Sequence, residues 1–150
     1  MSLVISPADL DAIRRHGEHE YPHEACGLIG GVWEGTVKQV RHLIPVVNAR
    51  RDSPYNRYLI EPEAFRRATD ELQRTGLEVL GVYHSHPDHP AQPSAFDREH
   101  AWPRLSYVIV SVAGGKSGAL AHWVLDDDRS AFHEEAVTIN EGMTSWQSRY

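Results

Sequence analysis

The chain has one cysteine, Cys26, among 150 residues. No internal disulfide can form, so the fold must rest on burial, and a reducing cytoplasm is the expected location. At this length a domain buries roughly 70% of its unfolded surface, which suffices without crosslinks or a structural metal. No apolar run approaches the roughly 20 residues that span a bilayer, so no membrane association is expected. Met1–Asp11 has no basic stretch followed by an apolar run, so no signal peptide is expected. Positive charge is scarce too: 15 Lys and Arg stand against 21 Asp and Glu, a net charge of −6 with His neutral. That balance gives no basic face for a phosphate backbone, and Arg50-Arg51 is too short to make one; no nucleic-acid partner is expected. Gly30-Gly31 lacks the Gly-x-x-x-x-Gly-Lys pattern of a phosphate loop. Repeats, low-complexity tracts and interdomain linkers are missing as well. One domain over residues 1–150 is expected, with its core at about 6–138.

Ten histidines are present, a high number for this length. Ser6-Pro7-Ala8-Asp9 reads as a helix start, with Leu10, Ile13 and His16 on one face and Pro22 beyond the end. Cys26–Trp33 and Thr36–Pro45, split by Glu34-Gly35, read as a hairpin. Asn48–Asn56 reads as a loop and Tyr58–Ile60 as a short strand. Glu61-Pro62-Glu63 opens a helix to about Thr75, burying Phe65, Ala68 and Leu72, and Gly76 ends it. Leu77–Tyr83 is an apolar strand that runs into His84-Ser85-His86-Pro87. A helix over Ser94–Ala101, strands at Ser106–Val112, Ala119–Leu125 and Phe132–Ile139, and a polar tail from Asn140 follow. The order predicts a mixed sheet with helices packed against it.

Chemistry concentrates in His84-Ser85-His86-Pro87, six residues, then Ser94-Ala95-Phe96-Asp97. Two histidines beyond a strand end converge on one ion if the chain bends, and Pro87 favours that bend. Asp97 lies one helical turn past Ser94, so both can face one point. Two imidazoles and a carboxylate make a catalytic zinc set, because a fourth position stays open for water. His84, His86 and Asp97 are therefore the expected ligands of one Zn2+. A lone His-x-His would be surface histidine. The full pattern would arise by chance in a chain of this composition only roughly 2 times in 10,000.

His-x-His-Pro-x6-Ser-x2-Asp, with Glu24-Ala25-Cys26-Gly27-Leu28 upstream, resembles the JAMM (MPN-type) zinc metalloprotease family. Tyr58-Leu59-Ile60-Glu61-Pro62-Glu63 before a helix is similar too, and the likeness extends over about Ser6 to Thr138. The resemblance implies an α/β fold: a cytidine-deaminase-like α/β/α sandwich around a mixed, curved sheet. It implies the compact bacterial branch, whose members act on ubiquitin-like sulfur-carrier proteins at a C-terminal Gly-Gly tail. On that basis Glu24 is expected as general base and Ser94 as oxyanion donor; otherwise Glu24 is a surface carboxylate and Ser94 a helix cap. Cys26 reads as a small buried strand residue. An extended substrate tail is expected to pair with sheet edges beside the metal. Competing readings are a noncatalytic scaffold, which typically lacks the ligands, and a DNA-repair-associated relative, which the acidic balance does not support. A zinc deaminase needs Pro-Cys-x-x-Cys, which one cysteine excludes.

Overall fold

The computed structural model describes residues 1–48 and 58–141. Most of the expected loop at 48–56, and the tail beyond Glu141, lie outside the described residues.

The chain starts with a strand, β1 (Ser2–Ile5), that its sequence did not announce. Four residues are too few to show a period, yet Leu3 and Ile5 are buried in the core, ahead of the expected boundary at residue 6. Helix α1 (Pro7–Glu20) begins as expected: Ser6 accepts from the Asp9 N–H, and Pro7 occupies the first turn. Strands β2 (Cys26–Glu34) and β3 (Val37–Val46) form the hairpin, with Gly35 in the left-handed region at the turn. Tyr58–Ile60 is not a strand. Among the described residues it has no ladder partner, and it runs as a strap into α2 (Pro62–Arg74). Ala68 and Leu72 of α2 are buried as expected, whereas Phe65 is exposed.

Strand β4 (Glu78–Pro87) is followed by α3 (Ala95–His100), β5 (Ser106–Ala113) and β6 (Lys116–Leu125). The last expected strand divides into β7 (Phe132–Glu135) and β8 (Val137–Ile139). Among the described residues the eight strands make one mixed sheet in the order β7-β6-β5-β4-β2-β3-β1-β8. β7 and β8 therefore stand at opposite ends of the sheet although Ala136 alone separates them. Glu135 and Val137 can be no more than about 7 Å apart, so the sheet curls until its two edges meet. The Leu3 N–H donates to the Ala136 carbonyl at that seam (3.1 Å).

Alternating side chains feed two cores. Ile29, Tyr83, Val108, Val110 and Val112 pack with Ile13 of α1, while Leu28, Val82 and Tyr107 pack with Ala68 of α2. The period of two places these sets on opposite faces, giving the α/β/α arrangement. Inside the curl lies a buried polar chain. Lys38 Nζ donates to the Leu80 and Arg104 carbonyls and to Ser106 Oγ (2.8 Å). Ser106 Oγ is 2.7 Å from His122 Nε2, and His122 Nδ1 is 3.3 Å from the Ala136 carbonyl. Because Lys38 can only donate, the Ser106 proton goes to His122 Nε2, which leaves Nδ1–H for the seam. No described helix is long and apolar enough to cross a membrane.

Candidate metal centre and its cleft

Both motif histidines lie inside β4 rather than past its end. His84 pairs with Cys26 on one side and Ile109 on the other, and His86 pairs with Ser111. No bend is needed for convergence: residues i and i+2 of a strand already share a face. Ser85 points the other way and secures the chain beside it. Its Oγ accepts from the Ala25 N–H (2.8 Å), and its own N–H donates to the Ala25 carbonyl. Carrying this antiparallel register one residue further sets Glu24 opposite His86.

Glu24, His84 and His86 are all buried, and each offers a ligand atom within 4.8 Å of the others. Asp97, from the first turn of α3, closes the group more tightly. Its Oδ2 is 3.3 Å from His84 Nε2 and 3.1 Å from His86 Nε2, and those two nitrogens are 3.2 Å apart. Ligands at about 2.0–2.1 Å around a tetrahedral ion are separated by about 3.3 Å, so this triangle already has the span of one tetrahedral face. Two carboxylates thus compete for the third position. Asp97 lies within hydrogen-bond distance of both histidines, and Glu24 offers an atom within 4.8 Å of each.

Local bonds aim these groups. His86 Nδ1 is 2.8 Å from the Pro90 carbonyl, which fixes the proton there and turns the Nε2 lone pair to the cluster. Asp97 and Ser94 form a reciprocal capping box. His84 Nδ1 and Glu24 Oε1 are buried without a hydrogen-bond partner among the described residues. An unpartnered buried carboxylate oxygen aimed at two imidazoles is the mark of a site built for a cation.

The electrostatics agree. Burial pushes Glu24 up to about 8; His86 opposes this shift and Asp97 adds to it. Burial also lowers His84 against the pull of Asp97. In His86 burial is outweighed by Asp97, the Pro90 carbonyl and Glu24, so its pKa rises. Burial alone would raise Asp97, but both histidines and the Ser94 N–H hold it well below the usual carboxylate range.

A cleft of about 370 Å³ opens beside the cluster, lined by Glu24, His86, His89, Gln92, Ser94 and Phe96. Its outer wall is pinned at successive residues. Asp88 accepts from Tyr21 Oη (2.7 Å) and the Gly114 N–H, the His89 carbonyl accepts from Ser111 Oγ, and the Ala91 carbonyl accepts from Trp123 Nε1. A second groove of about 180 Å³ reaches Asp97 from the other side, between Tyr58, Leu59, Phe65 and Trp102. Among the described residues β2 and β5 occupy both sides of β4, so the histidines sit on an inner strand rather than at a sheet edge. His89 and His100 are exposed, while Cys26 is buried and its thiol is pushed up to about 12, first by burial. Two neighbours of the cluster, Asn48 and Tyr58, escaped sequence reasoning; their approach depends on chain paths that local spacing does not encode.

A buried His-His-carboxylate group on the central strand of a curled α/β/α sheet is the architecture of an MPN/JAB domain. The chain belongs to that family: the prokaryotic homologs of the JAB domain match residues 6–126. A probable TtuB-protein conjugate cleaving protease of Thermus thermophilus is 40% identical over 112 residues, 75% of this chain and 72% of that one. The desampylase of Haloferax volcanii is 34% identical over 93% of this chain and 96% of its own length. The CysO-cysteine peptidase of Mycobacterium tuberculosis is 32% identical over 93% and 92%. The solution structure of DSY2949 from Desulfitobacterium hafniense superposes with a TM-score of 0.81 at 29% identity, covering 94% of each chain. With these relatives the family stands among the JAMM-type metallopeptidases.

Proposed function

We propose that this chain is a zinc peptidase that cuts after the Gly-Gly tail of a ubiquitin-like sulfur-carrier protein. The observation that carries the reading is the His84 Nε2, His86 Nε2 and Asp97 Oδ2 triangle, 3.1–3.3 Å on a side, with Glu24 beside it. His84, His86 and Asp97 would hold the metal, three protein ligands being the number that leaves a catalytic zinc open to water. When bound, zinc supplies the Lewis acidity that polarises a carbonyl and acidifies water. Glu24, buried beside the two histidines, would take the water's proton and return it to the leaving amine. Ser94 lines the cleft, and its hydroxyl proton is available to the oxygen that becomes negative.

The substrate assignment has two supports. Relatives named for cleaving TtuB conjugates and CysO-cysteine share most of this chain's length. The cleft wall of Pro90, Pro93 and Phe96 is pinned close to Glu24 and His86, and glycines pass such walls where larger side chains clash. The test has two arms. Metal analysis of the wild type, His84→Ala and His86→Ala should give about one zinc per wild-type chain and loss in the variants; unchanged zinc in both variants overturns the site. A panel of carrier proteins with extended tails, each also made with Ala-Ala in place of Gly-Gly, is then followed by intact mass. Cleavage confined to Gly-Gly forms supports the reading, and equal cleavage of both overturns it.

A further inference from the structure

Ligating histidines usually spend their second ring nitrogen on a hydrogen bond that fixes the ring. His86 does so through Pro90. His84 does not: its Nδ1 is buried and unpartnered among the described residues. Something else must hold that ring. The Tyr58 ring lies over it, with centroids 4.4 Å apart and planes at 23°. Tyr58 belongs to the strap before α2, which no strand ladder supports among the described residues. Among the described residues one side chain bonds the strap's backbone. Asn48 Oδ1 accepts from the Leu59 N–H (2.9 Å), while Asn48 Nδ2 donates to the Glu24 carbonyl (3.1 Å). A single amide therefore ties the backbone under Glu24 to the strap that lays Tyr58 on His84.

We infer that Tyr58, held in place by Asn48, is the positioning residue for His84, and that ring stacking takes the part a hydrogen bond plays at His86. The inference rests on the metal site proposed above. Stacking requires a flat ring and no hydroxyl, so Tyr58→Phe preserves the function and Tyr58→Ala removes it. Asn48→Ala releases the strap and weakens the site through Tyr58. Outer contacts of this kind are worth about 10- to 100-fold in metal affinity.

The experiment is competition of each full-length variant with a chromophoric zinc chelator, alongside thermal melting. Ile60→Ala serves as the packing control, since Ile60 packs against the same core cluster and lines the same groove as Tyr58. Expected are wild-type zinc affinity within about twofold for Tyr58→Phe and Ile60→Ala, and at least about tenfold weaker binding for Tyr58→Ala and Asn48→Ala. Wild-type affinity in Tyr58→Ala overturns the inference while leaving the metal site intact. Equal loss in Ile60→Ala overturns it in favour of general packing, and equal loss in Tyr58→Phe overturns the stacking basis. A wild-type protein that takes up no zinc overturns the underlying site itself.

Discussion

Ser94 Oγ accepts the Asp97 N–H at 3.0 Å, and Asp97 Oδ2 accepts the Ser94 N–H at 2.9 Å. This reciprocal bond explains the three-residue spacing in Ser-x-x-Asp: it is the distance from an N-cap to the third helical residue. The same Oδ2 faces both histidines, so the start of α3 is also the mounting of the third cluster atom. Capping and the proposed oxyanion role need not compete for Ser94. Oγ uses a lone pair for the cap and keeps its proton for the cleft. Ser94→Ala should therefore lose both, lowering stability by about 1 kcal/mol and turnover by about 100-fold or more. Ser94→Thr should keep most of each. Thermal melts and steady-state rates on an extended carrier tail check this; a Ser94→Ala variant with normal turnover confines Ser94 to capping.

Glu24→Gln should keep zinc and lose roughly 100-fold or more in turnover. Gln matches the shape of Glu24 but cannot accept the proton. Zinc content and rate, measured on the same preparation, separate this from a ligand role: loss of zinc in Glu24→Gln would make Glu24, not Asp97, the third ligand.

The metal-free protein should report on Glu24 through pH. Its folded pKa of about 8 lies above the ordinary 4.5, mainly through burial, so the fold prefers the protonated acid. Stability from this preference is complete below about 4.5 and is lost as pH rises toward 8. Wild type and Glu24→Gln should melt together near pH 4.5 when stripped of metal. The wild type should then fall progressively below the variant up to pH 8. Parallel melting curves across that window would show that Glu24 is solvated rather than buried.

The motif was readable because its spacing is local. His84-x-His86 is two steps along one strand, and Ser94-x-x-Asp97 is one capping box. The hairpin and α2 were legible for the same reason, through Gly35 and Pro62. What failed was non-local. Tyr58–Ile60 has strand-like residues but pairs with no strand among the described residues, and Asn48 bonds it by side chain. Phe132–Ile139 reads as one strand because nothing local marks Ala136 as the place where the sheet closes on itself. β1 pairs with β3 and β8, partners that lie over 30 and 130 residues away in the chain.

The seam inside the curl offers the last test. Lys38, Ser106 and His122 are fully buried, and their hydrogen bonds run from the Leu80 carbonyl to Ala136. Ser106 is the only hydroxyl between the two ionisable groups in that chain. Ser106→Ala leaves the Lys38 ammonium one acceptor short and His122 Nε2 without its donor, and an unsatisfied buried group costs about 1–3 kcal/mol. The variant should melt correspondingly lower. Burial lowers Lys38 to about 8 and His122 to about 4, so near neutral pH His122 stays neutral while Lys38 is within reach of losing its charge. Removing the donor as well, in Lys38→Met with Ser106→Ala, should not recover the loss, because the Leu80 and Arg104 carbonyls then lose their Lys38 partner too. None of these side chains touches the metal triangle, so zinc affinity should stay within about twofold while stability moves. Denaturant unfolding and chelator competition on the two variants check both halves, and a Ser106→Ala protein as stable as wild type would show that the seam does not depend on this relay.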